Sequence, residues 1–177
     1  SLNNVGEIYT RLAETLIDGV FEWVSNAFQE QHGAVPQSAS CIVALGNFGT
    51  RELTASSDLD LLFLYEYEAE NDMSDGAKPL HASDYFGRLT KRLISAFSAP
   101  TNEGIIYELD LRLRPHGAAG PIATSLLAFE KYHSDSSWTW ELMTLTRARA
   151  VHGDQVFQTK VMAFHQVLVH MGWNRVR

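Results

Sequence analysis

An α+β fold with a small mixed sheet, a long N-terminal helix and a C-terminal helical region is predicted for this 177-residue chain by three features of its apolar pattern. Two short apolar runs, "CIVALGNF" and "DLDLLFLYEYE", have the length and composition of buried strands rather than helices. A third stretch, "GIIYELDLRLRP", alternates apolar and charged residues at a period of two. Elsewhere apolar residues recur every three or four positions, as on one face of a helix. The resulting order is helix, strand, strand, helix, strand and then helices, which groups helices and strands as an α+β domain does. Residues 1–125 are expected to form the core and residues 126–177 a helical region packed on it, continuing in a longer parent chain.

The elements follow in order. Val5, Ile8, Leu12, Leu16, Val20, Val24 and Phe28 predict a long first helix with that face inward, ended by Gly33 and Pro36. The two apolar runs follow as strands, and "EAENDMSDGAKPL" is a polar surface loop. Ser83 is placed to cap a helix that turns Phe86, Leu89, Leu93 and Phe97 inward before Pro100 stops it. In the alternating strand Tyr107, Leu109, Leu111 and Leu113 share one face, and Glu108, Asp110, Arg112 and Arg114 the other. Beyond "HGAAGPIATS" the segments "LLAFEKYHS", "SWTWELMTLTRARAV" and "QVFQTKVMAFHQVLVHM" read as helices, the last capped by Asp154.

Bulk composition excludes several classes. A hydrophobic fraction of 45% and a charged fraction of 20% are those of a globular domain. The net charge of -7 argues against binding nucleic acid through its phosphates. The single cysteine, Cys41, excludes an internal disulfide and, amid "IVAL", is expected to be buried. No apolar run is long enough for a membrane span and the first residues do not resemble a signal peptide, so no membrane association and a cytoplasmic location are expected. The seven histidines form no zinc-ligand spacing.

The chemistry lies in "GNFGTRELTASSDLDLLFLYE". Asp58 and Asp60 share one face at the mouth of a strand otherwise built for burial, and Asp110 holds a matching place on the later strand. Carboxylates crowded in this way repel one another unless a cation lies between them. Magnesium, a hard ion held by a few protein carboxylates together with substrate phosphates, is the expected guest. Gly46 and Gly49 allow close backbone approach to a ligand, and Thr50 adds a hydroxyl beside a turn suited to an anion. The stretch has neither the Gly-Lys-Ser/Thr of a Walker loop nor the spacing of a dinucleotide fingerprint or a calcium loop. A solvated rim for the aspartates, and a half-exposed edge strand laced with Glu-Arg and Asp-Arg pairs, are the competing structural readings. Trp138 and Trp140 lie two apart, so at least one is expected in the core, and Arg147 and Arg149, two apart on a helix, would point to different sides.

Gly49-Thr50, the gap and Asp58-Leu-Asp60, with Asp110 as third carboxylate, resemble the signature of the polymerase-beta-type nucleotidyltransferase superfamily. More closely, "GTRELTASSDLDLLFLYE", "YELDLRLRPHGAAGP", "TSLLAFEKYH" and "WTWELMTLTRARAVHGD" are similar to the glutamine synthetase (glutamate-ammonia ligase) adenylyltransferases over residues 45–154. Members carry two such domains. The N-terminal one removes AMP from glutamine synthetase by phosphorolysis, and the C-terminal one attaches AMP from ATP; "WTWELMTLTRAR" resembles the adenylylating copy. The resemblance implies that Asp58, Asp60 and Asp110 are catalytic and bind Mg2+, and that Gly49, Thr50, Arg51, Ser57, Arg112 and Arg114 contact the nucleotide. It implies ATP and glutamine synthetase as substrates, a tyrosine hydroxyl as nucleophile, and control of the parent chain by glutamine and a PII-type signalling protein. Asn47 departs from the family's frequent lysine, and Thr50 from a frequent second glycine. The deadenylylating copy and a non-catalytic nucleotide-sensing module are the alternatives.

Overall fold

The computed structural model describes residues 2–100, 104–105 and 107–176. Helix α1 (Leu2–His32) leads into strand β1 (Ala39–Ala44), a single helical turn α2 (Gly46–Gly49) and strand β2 (Leu59–Glu66). Helix α3 (Ala82–Phe97) is followed by the short strands β3 (Leu109–Asp110) and β4 (Thr124–Ser125), and by helices α4 (Leu126–Asp135) and α5 (Thr139–Leu145). Strand β5 (Arg149–Gly153) and helix α6 (Gln155–Val176) complete the described chain. The sheet order is β3-β2-β1-β5, with β4 also beside β2; β1 is antiparallel to β2 and β5, whereas β3 and β4 run parallel to β2. This small mixed sheet with its long N-terminal helix is the predicted α+β architecture and fits the polymerase-beta-type nucleotidyltransferase fold.

Strand β2 is central, which explains its continuous apolar run: both of its faces are covered. Leu59, Leu61, Phe63 and Tyr65 pack with Ala13, Ile17, Val24 and Phe28 of α1 and with Phe86, Leu89, Leu93 and Phe97 of α3. On the opposite face Leu62 and Leu64 join Cys41, Val43, Leu126, Phe129, Leu142, Leu145 and Phe157. Cys41 is buried as expected, and burial pushes its thiol up to about 12. Asp154 caps α6 by accepting from the Phe157 amide at 2.8 Å. No described helix is long and apolar enough to cross a membrane.

Four elements differ from the expectation. In the first half of α1 the inward face is Gly6, Thr10 and Ala13, while Val5, Ile8 and Leu12 are exposed. The reason is close packing on backbone: a Cβ at Gly6 would stand 2.9 Å from the Arg51 carbonyl oxygen, so small residues line the contact. Helix α3 starts at Ala82 with His81 in the cap position, leaving Ser83 inside the first turn without a capping role. Only Leu109 and Asp110 of the long alternating stretch form a strand, and Ile106 of that stretch lies outside the described residues. The chain leaves the ladder because the Arg112 amide turns back onto Asp110 Oδ1 at 2.8 Å. Finally, the helical pattern of "SWTWELMTLTRARAV" conceals a strand: α5 ends at Leu145 and β5 pairs along the free edge of β1. The 126–177 region therefore contributes a strand to the sheet as well as helices.

Phe63 packs against the rings of Phe21 and Phe86 at the centre of the first core. Phe63→Ala is expected to remove about 3–5 kcal/mol of stability, read as the shift in a urea denaturation curve.

Candidate active site

The parallel pairing of β2 with β3 sets Asp60 directly beside Asp110, so both carboxylates project from one sheet face, the face of Leu62 and Leu64. Asp58 immediately precedes β2, where the Leu59 amide donates to the Glu108 carbonyl at 2.9 Å. Turn α2 closes the site from the other side. The Leu45 amide donates to the Asp60 carbonyl at 2.9 Å, and Gly46, at φ 52°, lies so close that a Cβ there would stand 2.5 Å from Asp60 Oδ2. Only glycine meets both demands at that position.

The three carboxylates differ electrostatically. Burial raises the Asp60 pKa above its usual value, and repulsion from Asp110 and then Asp58 raises it further, with partial relief from Arg112. Asp110 is held below the usual range by its hydrogen bonds from Arg112. The Arg112 Nε lies 3.0 and 2.8 Å from Asp110 Oδ1 and Oδ2, and Nη2 also contacts Oδ2. That guanidinium is largely in solvent, whereas the Asp110 side chain is 15% exposed.

Among the described residues, no three His, Cys, Asp or Glu side chains converge into a ready-made metal cage. The donor set still fits a hard divalent cation. It offers carboxylate oxygens only, and the repulsion that adds to burial in raising Asp60 is the kind a bound cation relieves. Asp110 is at present turned onto Arg112 instead.

The remaining predicted residues divide into three places. Asp58, Glu108, Asp110, Arg112 and Arg114 line one cleft of about 410 Å³. Thr50 and Arg51 line another, of about 580 Å³, with Val5, Gly6 and Tyr9 of α1. The Thr50 hydroxyl donates to Glu52 Oε2 at 2.6 Å, and the amides of Gly49, Thr50, Arg51 and Glu52 are all bonded to carbonyls of residues 45–48. Those four amides are therefore committed to holding the turn. Ser57 accepts from the Thr54 amide at 3.0 Å within its own loop. Arg114 is half-buried and donates to the carbonyls of Leu111, Ala118 and Gly120 at 2.6, 3.3 and 3.2 Å, which braces the loop after β3.

Helix α5 lies on the same sheet face, where its Leu142 and Leu145 belong to the core that Leu62 enters. The Tyr132 hydroxyl donates to Glu141 Oε1 at 2.6 Å, Glu141 Oε2 accepts from the Trp138 amide at 2.8 Å, and the His116 ring packs on Tyr132 at 4.7 Å. This chain of contacts joins the Arg114 loop to α5. Trp138 and Trp140 are 70% and 59% exposed, so neither is the core residue expected of at least one of them. Arg147 is exposed, but Arg149, on a strand rather than a helix, reaches the carbonyls of the glycine turn. Sequence periodicity missed that role because it assigned the residue to the wrong element.

Residues 1–164 match the model of the glutamate-ammonia ligase adenylyltransferase family. A bifunctional glutamine synthetase adenylyltransferase/adenylyl-removing enzyme of Brucella suis is 48% identical over 156 residues, 88% of this chain and 16% of that protein. Proteins of the same name from Bradyrhizobium diazoefficiens and Mesorhizobium japonicum are 45% and 49% identical, over 91% and 84% of this chain and 16% and 15% of their own lengths. The chain thus spans about a sixth of the length of these curated relatives.

Asp60 titrates above its ordinary value, so its contribution to folding is fully present below the unfolded carboxylate pKa and is lost as pH rises through the folded one. Asp60→Asn is therefore expected to raise Tm in metal-free buffer near neutral pH. The gain should shrink to nothing at about pH 3, where the native side chain is also neutral, as read by thermal scans across pH.

Proposed function

The chain belongs to the glutamate-ammonia ligase adenylyltransferase family, and from that premise we propose that it transfers AMP from ATP to a tyrosine of glutamine synthetase, releasing pyrophosphate. The observation that carries this reading is the Asp60-Asp110 register, with Asp58 beside it and the glycine turn packed against Asp60. In the reaction the tyrosine hydroxyl gives up its proton to water, its oxygen bonds to the α-phosphorus, and the bond to the bridging oxygen breaks in line as pyrophosphate leaves. Asp58, Asp60 and Asp110 would hold Mg2+, which supplies charge stabilisation to the attacking and departing oxygens.

The chain's own residues supply the rest. The glycines let turn α2 rest directly on Asp60 and on the Arg147 backbone, which fixes the turn beside the carboxylates where the phosphates would lie. Arg112, exposed at the cleft, is the cation best placed to meet a polyphosphate. Asp110, made more acidic by Arg112, is a poor proton acceptor while that pair is closed, which favours a charge-holding role over general-base work. Arg114 acts through the loop it braces, and Thr50, Arg51 and Ser57 through the turn and loop they shape.

The run Trp138-Thr139-Trp140-Glu141 with its Arg-Ala-Arg ending favours the adenylylating direction. The bifunctional names of the relatives make phosphorolytic removal of AMP the second reading. We place the activity in the cytoplasm, within a longer protein that answers to glutamine and a PII-type signalling protein. Nucleic acid is not expected to bind an acidic chain of this kind.

Incubation with Mg2+, ATP and glutamine synthetase is expected to add the mass of one AMP per substrate subunit. The Asp58→Asn/Asp60→Asn pair should lower that transfer by about 10³-fold or more. Full activity in the double variant would sink the carboxylate assignment, and phosphate-dependent loss of AMP from modified substrate would reverse the direction.

A further inference from the structure

We propose that Arg149 is a positioning residue for nucleotide transfer: its guanidinium clamps turn α2 against Asp60 and thereby sets where the triphosphate lies. The inference rests on the reading of the glycine turn given above. Four residues of helix cannot hold their own shape in water, because one turn orders several dihedrals for hardly any internal bonds. Something outside the turn must fix it.

Arg149 does so from three directions. Its Nη2 and Nε donate to the carbonyls of Phe48 and Gly49, both at 3.1 Å, at the C-terminal end of the turn, where a cation is favoured. Its Nη1 reaches Glu14 Oε1 of α1 at 2.5 Å, and both side chains of that pair are only about a quarter exposed. The guanidinium carbon also stands 5.9 Å from the ring centroid of Phe48, which is fully buried. Beneath this clamp the backbones are nearly in contact, since a Cβ on Gly49 would fall 1.8 Å from the Arg147 carbonyl oxygen. The other end of the turn abuts Asp60 through Gly46 and the Leu45 amide. A shift at Phe48 or Gly49 therefore moves the backbone that faces the carboxylate. A planar fork of donors can serve the two carbonyls and Glu14 at once, whereas the point charge of a lysine cannot.

The test is Arg149→Lys, compared with Glu14→Gln, which removes the anchor's charge but leaves both carbonyl bonds. Arg149→Lys is expected to raise KM for ATP by about tenfold or more, with a smaller change in kcat and little change in Tm. Glu14→Gln should lower Tm while holding KM within about threefold of the native value. Hydrogen exchange supplies a readout independent of activity: in Arg149→Lys the amides of residues 47–50 should exchange faster while those of β1 and β2 do not change. Unchanged KM or unchanged exchange in the turn overturns the inference, as does loss of the fold in both Arg149→Lys and Arg149→Gln, which would make the residue a stability element only. If the native chain transfers no AMP, the functional reading fails there, and exchange in the turn still decides the clamp.

Discussion

Repulsion among carboxylates at one end of the central strand is the constraint on which the rest of this structure turns. Strand β2 is apolar on both faces because both are covered, and a charged residue in such a strand is expensive. Asp60, at the second position of β2, is half-buried, whereas Leu62 and Leu64 on the same face are buried in the second core. The parallel strand beside it then adds Asp110 rather than relief. The molecule's internal answer is partial: Arg112 satisfies Asp110, and Asp60 remains raised.

The architecture around that charge relies on close backbone approach rather than on large side chains. Gly46 lets the turn rest on Asp60, Gly49 lets it rest under Arg147, and Gly6 brings α1 onto the backbone of Arg51 and Glu52. Each contact joins a different segment to residues 46–52. The ion pair of Arg149 with Glu14 ties β5 to α1 across the same turn, and a hydrogen bond between His152 and Asp18, at 2.5 Å, joins the same two elements one helical turn further on. A second strand edge, an N-terminal helix and a glycine turn thus form one rigid support for the carboxylates.

How much of this was legible in the sequence depended on whether a residue's role was local. The strand character of "DLDLLFLYEYE", the inward faces of α3 and the burial of Cys41 follow from periodicity and composition, and the sharing of a face by Asp60 and Asp110 follows from two strands being adjacent. Val5, Ile8 and Leu12 misled because hydrophobicity marks large side chains, whereas that half of α1 packs through glycine, threonine and alanine. Strand β5 was hidden because Leu142 and Leu145 carry a true helical pattern up to its edge, and only the open side of β1 decides that the next residues extend. The roles of Arg114 and Arg149 were invisible for the same reason: each reads carbonyl oxygens, and a carbonyl leaves no mark in a sequence.

The distribution of charge also bears on Asn47, an exposed and uncharged position on turn α2. Without a cation there, the positive charge of the carboxylate cleft comes from Arg112 and Arg114, of which Arg114 is bound to three carbonyls. Set against Asp58, Glu108 and Asp110, with Asp60 beside them, the cleft remains net negative. A bare polyphosphate is repelled by such a surface, whereas one that arrives already paired with a divalent cation is not. With Asn47 uncharged, neutralising a polyphosphate at this cleft would therefore fall to the ligand's own counter-ion rather than to turn α2.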